Sequence, residues 1–269
     1  MTWSKTTLVP DLTVGNPSSD DRAAYDNAGN VQLYSILGAS WQPSTTADGE
    51  QAKTTGERAF EIAARREMER LEAAGEKPYF IPPGASLHQL GGLGFARWAF
   101  EVEQQERELG VRWDVVIVPC ASGSTLAGMV AGFRLAEKQR GVESGNKKRK
   151  LIGMQATTND VQKTKRLVMD SAKTTAKLIG LDGGDIQSDA FEITDRFNAG
   201  AYGRLDDKTR DGIKLLAETE GILTDPVYTG KAITGLIELA REGAFGEAEN
   251  VLFVHTGGTP ALSAYPSMR

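Results

Sequence analysis

The sequence predicts an α/β protein built on a parallel, doubly wound sheet. Two observations carry that prediction. Apolar, β-rich runs alternate along the chain with stretches whose apolar residues recur at helical spacing. The most informative segment, VVIVPCASGST at 115–125, stops as a strand at Cys120, turns through small residues and restarts as the helix-like LAGMVAGF. The composition is that of an ordinary globular protein, with 40% hydrophobic and 25% charged residues over 269 positions, enough for one large domain or two modest ones.

Helical spacing is read at 28–37, 56–74, 95–109, 124–139, 161–179, 206–220 and 230–241. Short apolar runs bounded by polar or turn residues predict strands at 78–81, 115–119, 151–155, 191–193 and 250–255. Strands separated by helices require crossover connections. The sheet is therefore parallel, and ligands are expected at the carboxyl ends of its strands. The polar stretches at 43–55 and 141–150 read as surface loops, and no internal repeat is visible.

Charge and composition exclude several classes of function. A net charge of −5 and a pI near 5.3 give no long-range attraction to nucleic acid or to an anionic membrane. No apolar run approaches the ~18 residues of a membrane span. The N-terminus has no basic-plus-apolar leader pattern. One cysteine rules out an internal disulfide framework and fits a reducing, cytoplasmic compartment. His88, His255 and Cys120 are scattered in sequence, so no metal site is expected.

The turn after 115–119 has the layout of a phosphate cradle. Backbone N–H groups of Ser122, Gly123, Ser124 and Thr125 converge at a helix N-terminus, where the helix dipole favours an anion. Gly123 permits close backbone approach, and the hydroxyls offer further donors. Charge-assisted hydrogen bonds of roughly 1.5–3 kcal/mol each would hold a phosphate dianion. The segment is neither a Walker loop nor a G-x-G-x-x-G fingerprint. Read alone, such a segment is more often a plain turn between strand and helix.

Four ordered blocks change that balance: PPGASLHQLGGLGF at 82–95, CASGSTLAGM at 120–129, LTDPVYTGKAITGLIEL at 223–239 and VHTGGTPALSAY at 254–265. Together with YDNAGNVQLYSILGA at 25–39, they resemble the pyridoxal-phosphate (PLP) enzymes grouped as 1-aminocyclopropane-1-carboxylate (ACC) deaminases and D-cysteine desulfhydrases. The similarity runs from about residue 25 to the C-terminus. It implies a tryptophan-synthase-β-like fold of two α/β domains with PLP between them. Residues 1–94 would be a remnant of the smaller domain and 95–269 the larger, PLP-binding one. It also implies a homodimer in the complete enzyme.

Members of that family open with a longer N-terminal segment carrying a Gly-Asn-Lys motif, whose lysine bonds to PLP, and then a Ser-Asn pair. This sequence begins, at MTWSKTTLVPDL, after both should have passed, and the expectation is an N-terminally truncated chain that is unstable and inactive alone. SGNKKRK at 144–150 imitates the lysine motif but follows the phosphate turn instead of preceding it. A lysine that bonds to the cofactor must be kept deprotonated by burial or by neighbouring positive charge. Lys147, Lys148, Arg149 and Lys150 read as solvated, and no residue of this sequence receives the lysine role.

The resemblance gives the remaining roles. Tyr228, in DPVYTGK, matches the family tyrosine beside cofactor and substrate, and Tyr202, in AGAYGR, matches a second; either phenol could position substrate or exchange a proton. Thr229 and Thr256 separate the substrates, because ACC deaminases carry Glu and Leu at these positions and D-cysteine desulfhydrases carry small hydroxyl residues. A carboxylate on the ring nitrogen suits opening of a cyclopropane, whereas a neutral hydroxyl suffices when thiolate leaves. Which threonine reaches the nitrogen is open in the sequence, with Thr256 the expected one. Gly257 and Gly258 would let backbone approach the ring. Gly91, Gly92 and Gly94 serve either tight packing or ligand contact. Asp225 reads as a helix cap and Lys231 as a surface charge; Cys120, His88 and His255 read as structural.

The expected function is that of a PLP-dependent lyase or deaminase acting on a small amino acid. D-cysteine β-elimination to pyruvate, ammonia and sulfide comes first, and ACC deamination is the alternative. The competing class is a non-catalytic remnant of the PLP fold.

Overall fold

In the computed structural model, residues 7–8, 21–41, 45–85, 88–141 and 148–269 are described. The chain divides into two units, Met1–Ile81 with Pro260–Arg269, and Pro82–Thr259.

The first unit contains β1 (Thr7–Leu8) and β2 (Ser40–Trp41), paired in parallel. Its helices are α1 (Arg22–Tyr25), α2 (Asn30–Ile36), α3 (Thr46–Thr55) and α4 (Ala59–Ala73). The C-terminal segment belongs to this unit. Ser267 donates from its backbone N–H and its hydroxyl to Asp21, and the rings of Tyr25 and Tyr265 meet edge to face. Two sequence expectations fail here. The polar stretch at 43–55 is mostly helix α3, because Thr45 and Asp48 form a capping box and Arg66 of α4 pairs with Asp48 at 2.6 Å. Residues 78–81 form no strand; Tyr79 and Ile81 are exposed, and no partner strand borders them among the described residues.

The second unit is the doubly wound domain. It runs α5 (Leu93–Leu109), β3 (Val115–Cys120), α6 (Ser124–Gln139), β4 (Lys150–Gln155), α7 (Val161–Leu178), β5 (Glu192–Thr194), α8 (Asp207–Glu220), α9 (Thr229–Arg241) and β6 (Val251–Phe253). The four strands form one parallel sheet in the order β5-β4-β3-β6. All six residues of β3 are buried, as a strand covered on both faces requires. Val116, Val118 and Cys120 pack with Ala99, Val102, Met129 and Val168, which come from α5, α6 and α7. Val115 and Ile117 pack on the opposite face with Ala232 of α9 and with Phe197. Each Val, Ile, Met or Phe side chain among them contributes about 1.5–3 kcal/mol on burial.

Pro119 sits inside β3 without breaking it. Odd-numbered residues of β3 bond towards β6, and that pairing ends as Val254 donates to the Ile117 carbonyl. Pro119 therefore faces the side where β6 has finished, and its missing N–H removes no ladder bond.

Candidate functional site

The carboxyl ends of the four strands point one way, so the segments that follow them line one edge of the sheet. After β3 comes the small-residue turn. Gly123 holds φ at 97°, and a Cβ there would lie 2.6 Å from Val168 Cγ2, so only glycine fits. α6 begins at Ser124, and its ladder starts with Ala127 donating to the Gly123 carbonyl. The first-turn N–H groups, including those of Ser124 and Thr125, have no acceptor within the helix. Ser122 and Ser124 donate their hydroxyls to the Gly84 carbonyl at 3.0 and 2.7 Å. The backbone donors thus keep the expected place at a helix N-terminus, while both serine hydroxyls tie the 82–85 turn to it.

The turn entering α9 is built around Asp225, which is fully buried. Its carboxylate accepts from the N–H groups of Val227, Tyr228 and Thr229 at 2.7–2.8 Å and from the Thr229 hydroxyl at 2.6 Å. That is the capping role expected from sequence. Thr229 Oγ1 also lies 3.2 Å from the Gly257 carbonyl and accepts from the Asp225 N–H. The hydroxyl of Thr229 therefore braces two loops. Thr256 is exposed at the end of β6, and Gly257 holds φ at 99° with nothing within 4 Å of where a Cβ would stand. His255 accepts at Nδ1 from the Gly257 N–H, and its Nε2 lies 2.8 Å from the Leu223 carbonyl, an arrangement satisfied by one neutral tautomer.

Tyr202 and Tyr228, distant in sequence, share a hydrogen bond between their hydroxyls, with the rings edge to face at 5.7 Å. Tyr202 arrives on the segment after β5. There the Asn198 side chain donates to the Thr157 carbonyl and accepts from the Gly200 N–H, while Ala199 adopts φ 60°. The Thr157 hydroxyl, after β4, is buried without a hydrogen-bond partner among the described residues.

Two cations depart from the sequence reading. Lys231 is no surface charge: it is 0% exposed, and its Nζ donates to the carbonyls of Asn198 and Ala201 at 2.8 and 3.0 Å. Burial pushes its pKa down to about 8, against the opposing pull of Asp206 and Asp225. Sequence reasoning missed it because a lysine near a helix start is ordinarily solvated; its setting among AITG and other small residues was the available signal. Arg149 is likewise buried, held to both oxygens of Glu106 at 2.7 and 2.9 Å. Lys148 is exposed and pairs with Asp189, and residues 142–147, including Lys147, lie outside the described residues. Cys120 is buried in the core, its thiol pushed up to about 12 by desolvation. A Cβ on Gly92 would strike the Thr175 side chain, which gives that glycine a packing role.

Residues 15–257 match the family model described as pyridoxal-phosphate dependent enzyme. The chain is 41% identical over 247 residues to a probable 1-aminocyclopropane-1-carboxylate deaminase of Cryptococcus neoformans, covering 92% of this chain and 66% of that protein. It is 42% identical over 245 residues to a 1-aminocyclopropane-1-carboxylate deaminase of Burkholderia cenocepacia, covering 90% and 66%. A solved structure of an ACC deaminase homologue superposes with a TM-score of 0.68 at 29% identity, over 88% of this chain and 64% of that one. The chain thus spans about two thirds of the length of the curated relatives it matches.

Proposed function

Because the chain belongs to the pyridoxal-phosphate dependent enzymes, with their tryptophan-synthase-β-like fold, we propose that it acts as a PLP-dependent lyase of the deaminase type, removing ammonia from a small amino acid to leave a 2-oxo acid. The observation that carries this reading is the Tyr202–Tyr228 hydroxyl pair, held on the same sheet edge as a helix N-terminus that only glycine can open.

The residues suit the cofactor. The phosphate would sit against the backbone N–H groups of Ser122, Gly123, Ser124 and Thr125, where the α6 dipole favours a dianion. Gly257 leaves open space for a flat ring to approach, and Thr256, exposed beside it, is the hydroxyl available to the ring nitrogen. Thr229 is already engaged by Asp225, which leaves Thr256 the better candidate. The bound cofactor would supply an electron sink for charge developing at the substrate Cα.

The proton chemistry falls to the tyrosines. A free phenol with a pKa near ~10 is a weak base at neutral pH. Two phenols sharing one hydrogen bond differ from that, because the protonated partner stabilises the other as phenolate. Either hydroxyl then has a proton to give, and its neighbour can donate a hydrogen bond to the phenolate left behind. Edge-to-face packing keeps both oxygens in place through the proton transfer.

ACC is the first substrate reading, supported by the names of relatives near 40% identity. Ring opening and deamination of its four carbons would give a four-carbon 2-oxo acid. D-cysteine, favoured from the sequence, remains the second reading on one observation: hydroxyl residues stand at 229 and 256, where the resemblance leads one to expect Glu and Leu in ACC deaminases. The test loads the protein with PLP and offers both amino acids at equal concentration, following ammonia, 2-oxo acid and sulfide. A higher kcat/KM for ACC supports the first reading, and sulfide release with a higher value for D-cysteine supports the second. PLP binding without turnover of either would favour the non-catalytic class.

A further inference from the structure

The mechanism above gives no task to Lys231, a buried ionisable group beside the site. Lys231 lies in the first turn of α9, three residues after the N-cap Tyr228, and its side chain is completely enclosed. A lysine hidden to this degree ordinarily meets a carboxylate. Here its hydrogen-bond partners are two backbone carbonyls, those of Asn198 and Ala201, at 2.8 and 3.0 Å. The charged groups acting on it, Asp206 at the start of α8 and Asp225 in the turn before α9, do so through space.

Those two carbonyls bracket the tight segment that delivers Tyr202. Asn198 closes it from one side by accepting from the Gly200 N–H, and Ala199 holds a left-handed φ of 60° that a residue with a Cβ rarely adopts. Such a conformation persists only where its surroundings over-determine it. Lys231 supplies that determination from α9, the same helix whose N-cap is Tyr228. One side chain therefore ties the segment carrying the first tyrosine to the element carrying the second. We propose that Lys231 is a positioning residue, a buried ammonium clasp whose bonds to the Asn198 and Ala201 carbonyls set the Tyr202 hydroxyl on the Tyr228 hydroxyl.

The alternative is a lysine that merely fills space. The two differ in what Lys231 does to the tyrosines. A clasp makes their coupling depend on the ammonium; a filler leaves that coupling unchanged when the ammonium is replaced by an apolar group of similar length. Lys231→Met makes that replacement. The proposal rests on the proposed function only in taking the tyrosine pair as functional, and its test uses neither cofactor nor substrate, so its failure is distinguishable from failure of that reading.

The experiment is a pH titration of the full chain carrying 13Cζ-labelled tyrosine and 15Nζ-labelled lysine, followed by NMR. Tyr202→Phe, Tyr228→Phe and Lys231→Met supply the assignments. In the unsubstituted protein, Tyr202 and Tyr228 should titrate as a coupled pair, in two steps separated by at least ~1 pH unit. In Lys231→Met, the two steps should converge towards the ordinary phenol value near ~10. Loss of stability in that variant with the tyrosine separation intact would overturn the clasp. If the variant does not fold, the unsubstituted protein decides: the Tyr202 and Tyr228 signals should move in step with the Lys231 Nζ signal as it loses its proton. Tyrosine signals that stay flat through that step, or that titrate independently from the outset, would contradict the proposal.

Discussion

Two buried cations at opposite edges of one sheet show how the domain divides its labour. Arg149 precedes β4 at the amino edge. It bonds to both oxygens of Glu106, donates to the Trp113 carbonyl and covers the Phe133 ring at 4.2 Å. Burial alone would raise the Glu106 pKa, but the bonds from Arg149 and the Trp113 N–H outweigh it and hold the carboxyl below its usual range. Lys231, near the carboxyl edge, donates to two carbonyls, and burial draws its proton affinity down towards physiological pH. A cation facing a bidentate counter-ion is fixed in one state. A cation facing neutral acceptors is adjustable, and it stands beside the residues proposed for the chemistry.

The sharpest way to break this contrast is Arg149→Met, which leaves Glu106 buried without its counter-charge. Such a loss costs about 3–5 kcal/mol, and a fall in Tm on the order of 10 °C should follow, measured by calorimetry. Binding of inorganic phosphate should be unchanged in the folded fraction.

The pH dependence should separate the two edges next. The folded-state pKa of Lys231 lies below its unfolded value of 10.5. From about pH 8 to 10.5 the unfolded chain therefore holds more protons there, and stability rises with pH through that window. The gain at this one site reaches about 3 kcal/mol and should be absent from Lys231→Met in denaturant melts taken across it. The Glu106 carboxyl is depressed from 4.5, so its contribution is present above that value and is lost as pH falls through the lower folded-state pKa. Relative to the unsubstituted protein, the acid limb of the stability curve should flatten in the double variant Arg149→Met, Glu106→Gln, which lacks both the carboxyl and its counter-charge.

Smaller effects sharpen the carboxyl edge. Gly123→Ala forces a left-handed φ on a residue with a Cβ and drives that atom towards Val168. It should cost about 1–3 kcal/mol and weaken PLP binding by at least ~10-fold, about 1.4 kcal/mol, read by absorbance titration. Thr229→Val removes the hydroxyl that joins Asp225 to the Gly257 carbonyl. It should lower stability by about 1–2 kcal/mol, read as a shift in urea midpoint, while PLP still binds.

The parallel sheet could be read from sequence because β3 and β4 are continuous apolar runs and because LAGMVAGF restarts as a helix directly after the turn. α3 could not, since its order comes from a capping box and from an ion pair to α4, contacts that a polar composition does not display. The strand expected at 78–81 failed for the converse reason: Tyr79, Phe80 and Ile81 favour extended backbone, but among the described residues no neighbouring strand pairs with them. At the site, the Asp225 cap was legible in DPVYTG. The Tyr202 partner came only through the resemblance, because bringing residues 202 and 228 together is tertiary information. Arg149 and Lys231 were misread for one shared reason. Local sequence shows a charge, while burial is set by distant elements, Glu106 and Phe133 for one and the 198–201 segment for the other.

The most direct measurement is an amide 1H–15N titration of the chain with PLP. The largest shifts should fall on Gly123, Ser124 and Thr125 at the start of α6, with a second set on Thr256 and Gly257 after β6. Another place on this unit could attract an anion: the open cavity lined by Lys173, Lys177 and residues 180–184, away from both loops. Shifts confined to that cavity, or a PLP titration that leaves Gly123 to Thr125 unmoved, would contradict assignment of the carboxyl edge as the cofactor site.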